Sequence, residues 1–422
     1  MFYSYKYNNG LTAIISPQLG TKAATVLIAV KVGSRFEPNK YNGIAHFTEH
    51  LMFKGTKRRP STLLISRELD SIGADYNAFT GKEYTGYYIK ADARHLSLSL
   101  DILADMLNNS LFSEQEIARE KGVIVEEINM YEDAPMMMLE DEFDACAYPA
   151  SQLGRNIAGT KETVNSFTRK DFINFIERYY TASNMLVVIA GKVDQLAAQE
   201  YIEKLFRHTK KGTESKFKKI KIQQKKAKIL VKDKQTEQIH LALGFTANIN
   251  HRSPVVLPLK IANIAFGGNM SSRLFINIRE RQGLCYYVRS RVNTYHDTGS
   301  FVVYAGLDKN RLEQAVGLII KEYKKIKAQG ITKSEFNKAK DFIRGKTVLA
   351  LEDSSQVAQW YADRWLSGQK IETPEQYLDR LEKINLTDIN QALKQVINKQ
   401  KLNLAIIGQI ADKRNLNKYI SF

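Results

Sequence analysis

The chain has 422 residues, of which 44% are hydrophobic and 25% charged. That length and that apolar content exclude a disordered polymer and point to a globular protein with two cores. Net charge is +17. This invites a nucleic-acid reading, yet the densest run, Lys210 to Lys226, holds Glu214 as its one acid and reads as a solvated linker. No zinc-finger, RNP-type or helix-turn-helix signature accompanies it, so no nucleic acid is expected as a partner. No apolar run reaches the roughly 18 residues a membrane helix needs, so no membrane association is expected either.

The N-terminus, Met1 to Gly10, alternates like a strand and turns at Asn9-Gly10. It shows no apolar signal core and no Arg-rich transit pattern, which sets the expectation of a cytoplasmic protein. The two cysteines, Cys146 and Cys285, are expected to be reduced. Strands are expected over 11–16 and 23–32, and helices over Gly43 to Lys54 and Ser61 to Ile72. A strand pair over Ala78 to Ala91 turns at Gly81. Helices follow over His95 to Asn109 and Ser113 to Tyr131, the second opened by Ser113 and Glu116 as a capping box. Phe167 to Tyr180 reads as a helix and Met185 to Gly191 as a buried strand. The second half repeats the order. Strands are expected over Ile239 to Phe245 and Phe301 to Leu307, and helices over Pro254 to Phe266, Arg311 to Gln329 and Thr332 to Leu351.

The helix from Gly43 carries His46-Phe47-Thr48-Glu49-His50, an H-x-x-E-H pattern. Residues four apart share a helix face, so both imidazoles can meet one metal ion, with Glu49 on the flank. Two imidazoles and a nearby carboxylate base are what zinc-assisted peptide hydrolysis requires. The plain alternative is a decorated surface helix. Only 7 histidines occur in the chain, and Ile44, Ala45, Phe47, Leu51, Met52 and Phe53 make this helix largely apolar, which favours the metal. A peptidase zinc needs a third ligand. On the helix from Ser113, Glu120 and Glu127 are seven apart and share a face with Val123 and Ile124 near it, while Glu126 points elsewhere. Glu127 is expected as ligand and Glu120 as the carboxylate that orients the site; a surface helix with paired charges is the alternative.

The segment Phe112 to Ile117 matches Ile331 to Phe336 at a shift of 219 residues. Under that shift Glu120 falls on Ala339 and Glu127 on Lys346, and the helix from Pro254 has no histidine. The expected fold is α+β: two homologous α/β sandwich domains, each an antiparallel-rich sheet covered by helices. The expected division is 1–209 for the metal-binding domain, 210–227 for the Lys-rich linker and 228–422 for a second domain without the metal residues.

Four motifs resemble those of the pitrilysin/insulinase-type zinc peptidases, in the two-domain form similar to bacterial processing proteases and the catalytic subunit of mitochondrial processing peptidase. They are His46 to His50 with Leu51 to Thr56, Asn77 to Thr80 with Glu83 to Thr85, Glu120 to Glu127, and Phe266 to Leu274 running into Arg279 to Tyr286. The resemblance implies one zinc per chain held by His46, His50 and Glu127, with Glu49 as the general base toward zinc-bound water. It implies that Tyr286 donates to the oxyanion and that Arg279 holds a substrate carbonyl. Asn77, Ala78 and Phe79 resemble the edge strand that takes an extended peptide as an added strand. A chain of this length implies half of a clamshell chamber, completed as a homodimer in which Arg279 and Tyr286 serve the partner's site. The function implied is a zinc endopeptidase acting on peptides or unfolded segments. The alternatives are a non-catalytic assembly subunit of the same fold and, from another class, a basic nucleic-acid-binding protein.

Overall fold

The computed structural model describes residues 1–410 and Ile420; the end of the expected second domain, 411–419 and 421–422, lies outside the described residues. In chain order the first elements are β1 (Tyr3–Lys6), β2 (Thr12–Pro17), β3 (Ala23–Val30), α1 (Ile44–Met52), α2 (Thr62–Ser71), β4 (Asp75–Thr80), β5 (Thr85–Asp92) and α3 (Leu96–Asn109). Then come α4 (Glu114–Asp133), α5 (Pro135–Ala147), α6 (Lys161–Ser166), α7 (Arg169–Tyr179), β6 (Met185–Gly191) and α8 (Gln195–Phe206). The second half holds β7 (Lys228–Lys232), β8 (Ile239–Ala247), α9 (Val256–Phe266), a π-helical segment Phe275–Glu280, β9 (Cys285–Thr294) and β10 (Gly299–Leu307). It closes with α10 (Leu312–Gln329), α11 (Lys333–Ala350), α12 (Ser354–Leu366), α13 (Pro374–Lys383), α14 (Leu386–Val396) and β11 (Leu402–Ile407). No described helix is long and apolar enough to cross a membrane.

Two sheets organise these elements. The first runs β1-β2-β6-β3-β5-β4 and the second β7-β11-β8-β10-β9. Leaving out β1, the two orders correspond strand for strand. β2 pairs parallel with β6 as β7 does with β11, and the other pairings of these two series are antiparallel. The repeat expected from one helix match is therefore present in the topology, and the mixed, helix-covered sheets agree with the expected fold class. Strands β3 and β6 read as nearly continuous apolar runs because both faces of their sheet are covered. On one face Val26, Ile28, Val187 and Ile189 join the core with α1, α3 and α8; on the other, Leu27, Ala29, Leu186 and Val188 meet Val357, Ala358, Tyr361 and Leu366 of α12.

That last contact alters the expected division. The compact units are discontinuous: one holds 1–129, 155–218 and 348–373, the other 130–154, 219–347 and the described residues from 374 onward. Helix α5, from the first half, lays Met138, Leu139, Phe143 and Cys146 on Ala242, Val302, Tyr304 and Ala405 of the second sheet. Helix α12, from the second half, covers the first sheet. Each sheet needs an apolar cover on its second face, and the chain supplies it from the other repeat, which local periodicity does not record. The 210–227 stretch contains no helix or strand.

Candidate active site

Helix α1 is fixed before its functional side chains are considered. Phe47 is fully buried, 4.8 Å from Phe172 and 6.1 Å from Phe167 between ring centroids, and Ile44 and Leu51 share that buried side. At the N-terminus Gly43 has φ 98°, and a Cβ there would fall 2.5 Å from the Ala158 carbonyl oxygen, so this entry to the helix requires glycine. The helix's own orphan amides are met by a distant carboxylate. Glu37, fully buried, accepts from the Gly43 and Ala45 N–H groups at 2.8 Å each and from Asn42 Nδ2 at 3.1 Å. Burial pushes the Glu37 carboxyl up to about 7 in spite of those donors.

On the opposite side His46 and His50 stand with ring centroids 4.6 Å apart. Glu127, from α4, has one carboxylate oxygen 3.5 Å from His46 Nε2 and the other 3.5 Å from His50 Nε2. One donor atom from each of the three residues lies within 4.8 Å of the others. Metal–ligand bonds of about 2.0–2.2 Å in a tetrahedron put ligand atoms roughly 3.3–3.5 Å apart, and each imidazole stands at that spacing from one of the two Glu127 oxygens. The donor set also fits, with two imidazole nitrogens and one carboxylate. Burial opposes the charge of Glu127, but the bond to His46 prevails and holds its carboxyl below the usual range.

Glu120 supports this arrangement. It is buried, its Oε1 lies 2.9 Å from His50 Nδ1, and its Oε2 accepts from Lys54 Nζ at 2.7 Å. Burial opposes its charge, but the bonds to His50 and Lys54 prevail and hold its carboxyl below the usual range. An ionised Glu120 can only accept, so the His50 proton sits on Nδ1 and Nε2 presents its lone pair toward Glu127. His46 Nδ1 is buried and has no partner among the described residues. Of the residues flanking Glu120 and Glu127, Ile124 is buried, but Val123, expected near that face, is half exposed. The apolar face of α4 is narrower than the sequence pattern implies, because only Ile117, Glu120, Ile124 and Ile128 turn inward.

Glu49 lies on the flank of α1, and its Oε2 accepts from Thr80 Oγ1 at 2.5 Å. Burial raises its carboxyl above the usual range, opposed by the Thr80 bond and by the charges of His46 and His50. Thr80 ends β4, an edge strand that pairs with β5 alone. Asn77, Ala78 and Phe79 precede it. Asn77 is exposed, its Oδ1 accepts the Ala78 N–H at 2.8 Å, and Phe79 packs over Gly86.

Arg279 and Tyr286 belong to the other compact unit. The chain reverses at Gly283, φ 57°, with the Gly283 N–H bonded to the Arg279 carbonyl at 2.9 Å. This brings the Arg279 guanidinium 5.8 Å from the centre of the Tyr286 ring. Tyr286 is 74% exposed, and its hydroxyl has no partner among the described residues.

Sequence reasoning gave no role to Glu37, Lys54 or Thr80. Lys54 was findable, since it follows His50 by four on one helix. Glu37 and Thr80 act across loops and carry no local signal.

The profile of the insulinase family, peptidase family M16, matches residues 13–161, and that of the peptidase M16 inactive domain matches 166–342. An uncharacterized zinc protease of Bacillus subtilis is 34% identical over 398 residues, covering 94% of this chain and 96% of that protein. The chain belongs to peptidase family M16. Another M16 relative, an uncharacterized zinc protease of Rickettsia felis, is 34% identical over 96% of each chain. Among solved structures, a protease from Helicobacter pylori superposes with a TM-score of 0.90 at 24% identity, covering 97% of this chain and 99% of that one. A peptidase M16 inactive domain from Pseudomonas fluorescens gives 0.90 at 16% identity, covering 98% and 99%. These two likenesses concern the M16 fold, and the relatives' names attach the family to zinc proteolysis.

Proposed function

We propose that this M16 protein is a zinc-dependent endopeptidase that cuts peptides or unfolded segments. The observation that carries the reading is the convergence of His46 and His50 of α1, the helix that also bears Glu49, with Glu127 of α4, one donor atom of each lying within 4.8 Å of the others. In this reading those three residues hold one zinc per chain. Zinc there would supply a Lewis acid for the scissile carbonyl and lower the pKa of a water. Glu49 takes the proton of the attacking water at its carboxylate and passes it to the departing amine. Glu120, with Lys54 behind it, fixes the His50 tautomer.

An extended substrate would add to the open edge of β4, reading backbone more than side chains. The Ala78 N–H is held by Asn77 Oδ1, so docking there requires the Asn77 side chain to turn away. Tyr286 would donate to the tetrahedral oxyanion and Arg279 would hold a substrate carbonyl. A homodimer enclosing a chamber, with that pair completing the partner's site, belongs to the same reading and is supported by the exposure of Tyr286. A cytoplasmic setting is supported by the two buried free cysteines.

The test is metal analysis together with cleavage of a quenched peptide. Wild type should carry zinc and cut, and chelation should stop it. Glu49→Gln should carry zinc and fail to cut; a Glu49→Gln protein cutting at the wild-type rate removes the base. For the shared site, mixed dimers of Glu49→Gln and Tyr286→Phe chains should recover part of the activity, and mixed dimers without recovery count against it.

A further inference from the structure

We propose that Thr80 is a positioning residue for Glu49: its hydroxyl holds one carboxylate oxygen and so reserves the other for proton transfer. The inference rests on the reading of Glu49 as the base and adds a residue to it. Four observations support it. The Thr80 hydroxyl donates to Glu49 Oε2. Glu49 Oε1 has no such bond among the described residues, so the two oxygens are made unequal. Thr80 is the last residue of β4, and its strand partner Thr85 is itself tied down through Oγ1 to the Val32 carbonyl at 2.8 Å. The donor therefore comes from a registered strand and not from a mobile loop.

A half-buried carboxylate with a free χ3 presents either oxygen, and a terminal sp²-type torsion is broad. An oxygen that accepts a hydroxyl proton is the poorer base, so the bond assigns the proton to Oε1. A purely structural role for Thr80 would be satisfied by any strand-forming side chain of that shape. Because Thr80 continues from Asn77, Ala78 and Phe79, the same strand that would receive the peptide sets the base.

The experiment compares Thr80→Val and Thr80→Ser with wild type. Valine keeps the shape and the strand preference and removes the hydroxyl; serine keeps the hydroxyl. Thr80→Val should retain zinc stoichiometry and KM within about twofold while kcat falls roughly tenfold or more, and Thr80→Ser should recover most of the kcat. In crystals of the metal-free proteins, the Glu49 carboxylate should keep its orientation in Thr80→Ser and change it in Thr80→Val. Wild-type kcat in Thr80→Val, or Thr80→Ser no better than Thr80→Val, overturns the proposal. Absence of cleavage by wild type itself defeats the peptidase reading instead. The crystals then still decide Thr80, since an unmoved carboxylate in Thr80→Val contradicts it.

Discussion

Helices α1 and α9 hold matching places, each following the central strand of its sheet, and they solve the same packing problem with opposite chemistry. Helix α9 buries Val256, Leu257, Leu259, Ile261, Ala262 and Phe266 and carries no histidine. Helix α1 buries Ile44, Phe47 and Leu51 on one side and spends the other on His46, Glu49 and His50. The partner helices differ in step. On α4 the inward positions include Glu120, whose counterpart on α11 is the buried Ala339; Glu127 is answered by the exposed Lys346. The second unit builds the same helix pair without the two histidines and the two glutamates, so the fold does not depend on them. Buried or half-buried charges cost stability unless bonded, and in the first unit each finds partners: Glu120 in His50 and Lys54, Glu37 in the start of α1.

The largest effect should come from the residue with no counterpart on α9. Glu49→Gln should lower kcat on the order of 10²–10⁴-fold with zinc content unchanged, read by peptide cleavage beside metal analysis. Next is the buried anchor of α1. Glu37 takes up a proton on folding because burial raises its carboxyl from 4.5 to about 7. Its contribution is therefore full below pH 4.5 and is lost as pH rises through about 7. Wild type should gain on Glu37→Gln as pH falls from 7 to 4.5, by on the order of 3 kcal/mol in denaturant unfolding. A constant gap across that range would contradict the assignment. Third, Glu120→Gln should weaken zinc binding roughly 10–100-fold in competition with a chelator, since His50 loses its charged acceptor. The smallest effect belongs to the second unit. Lys346→Glu should leave stability within about 0.5 kcal/mol and add no zinc, because no imidazole stands opposite; a second zinc equivalent would break the comparison.

Much of the fold was legible because its signals are local. The α1 motif, the capped start of α4 and the apolar runs of β3 and β6 each announce themselves within a dozen residues. Strand β9 was not read, although Val288 to Arg291 alternate between buried and exposed and its tyrosines and valines favour a strand. The exchange of α5 and α12 was not legible at all, because which sheet a helix covers depends on contacts far along the chain. The site divides the same way. Helical spacing puts His46 and His50 on one face, and the shared face of Glu120 and Glu127 is equally local. Thr80 reaches Glu49 across 31 residues and Glu37 reaches Ala45 around a loop, so neither bond has a pattern to find.

The central claim is that His46, His50 and Glu127 grip one cation between α1 and α4. Anomalous scattering at the zinc edge from a crystal of the zinc-loaded protein tests it directly. The expected result is one peak per chain about 2.0–2.2 Å from both Nε2 atoms and a Glu127 oxygen. A peak elsewhere, or a loaded crystal with these three side chains ordered and no peak between them, contradicts it.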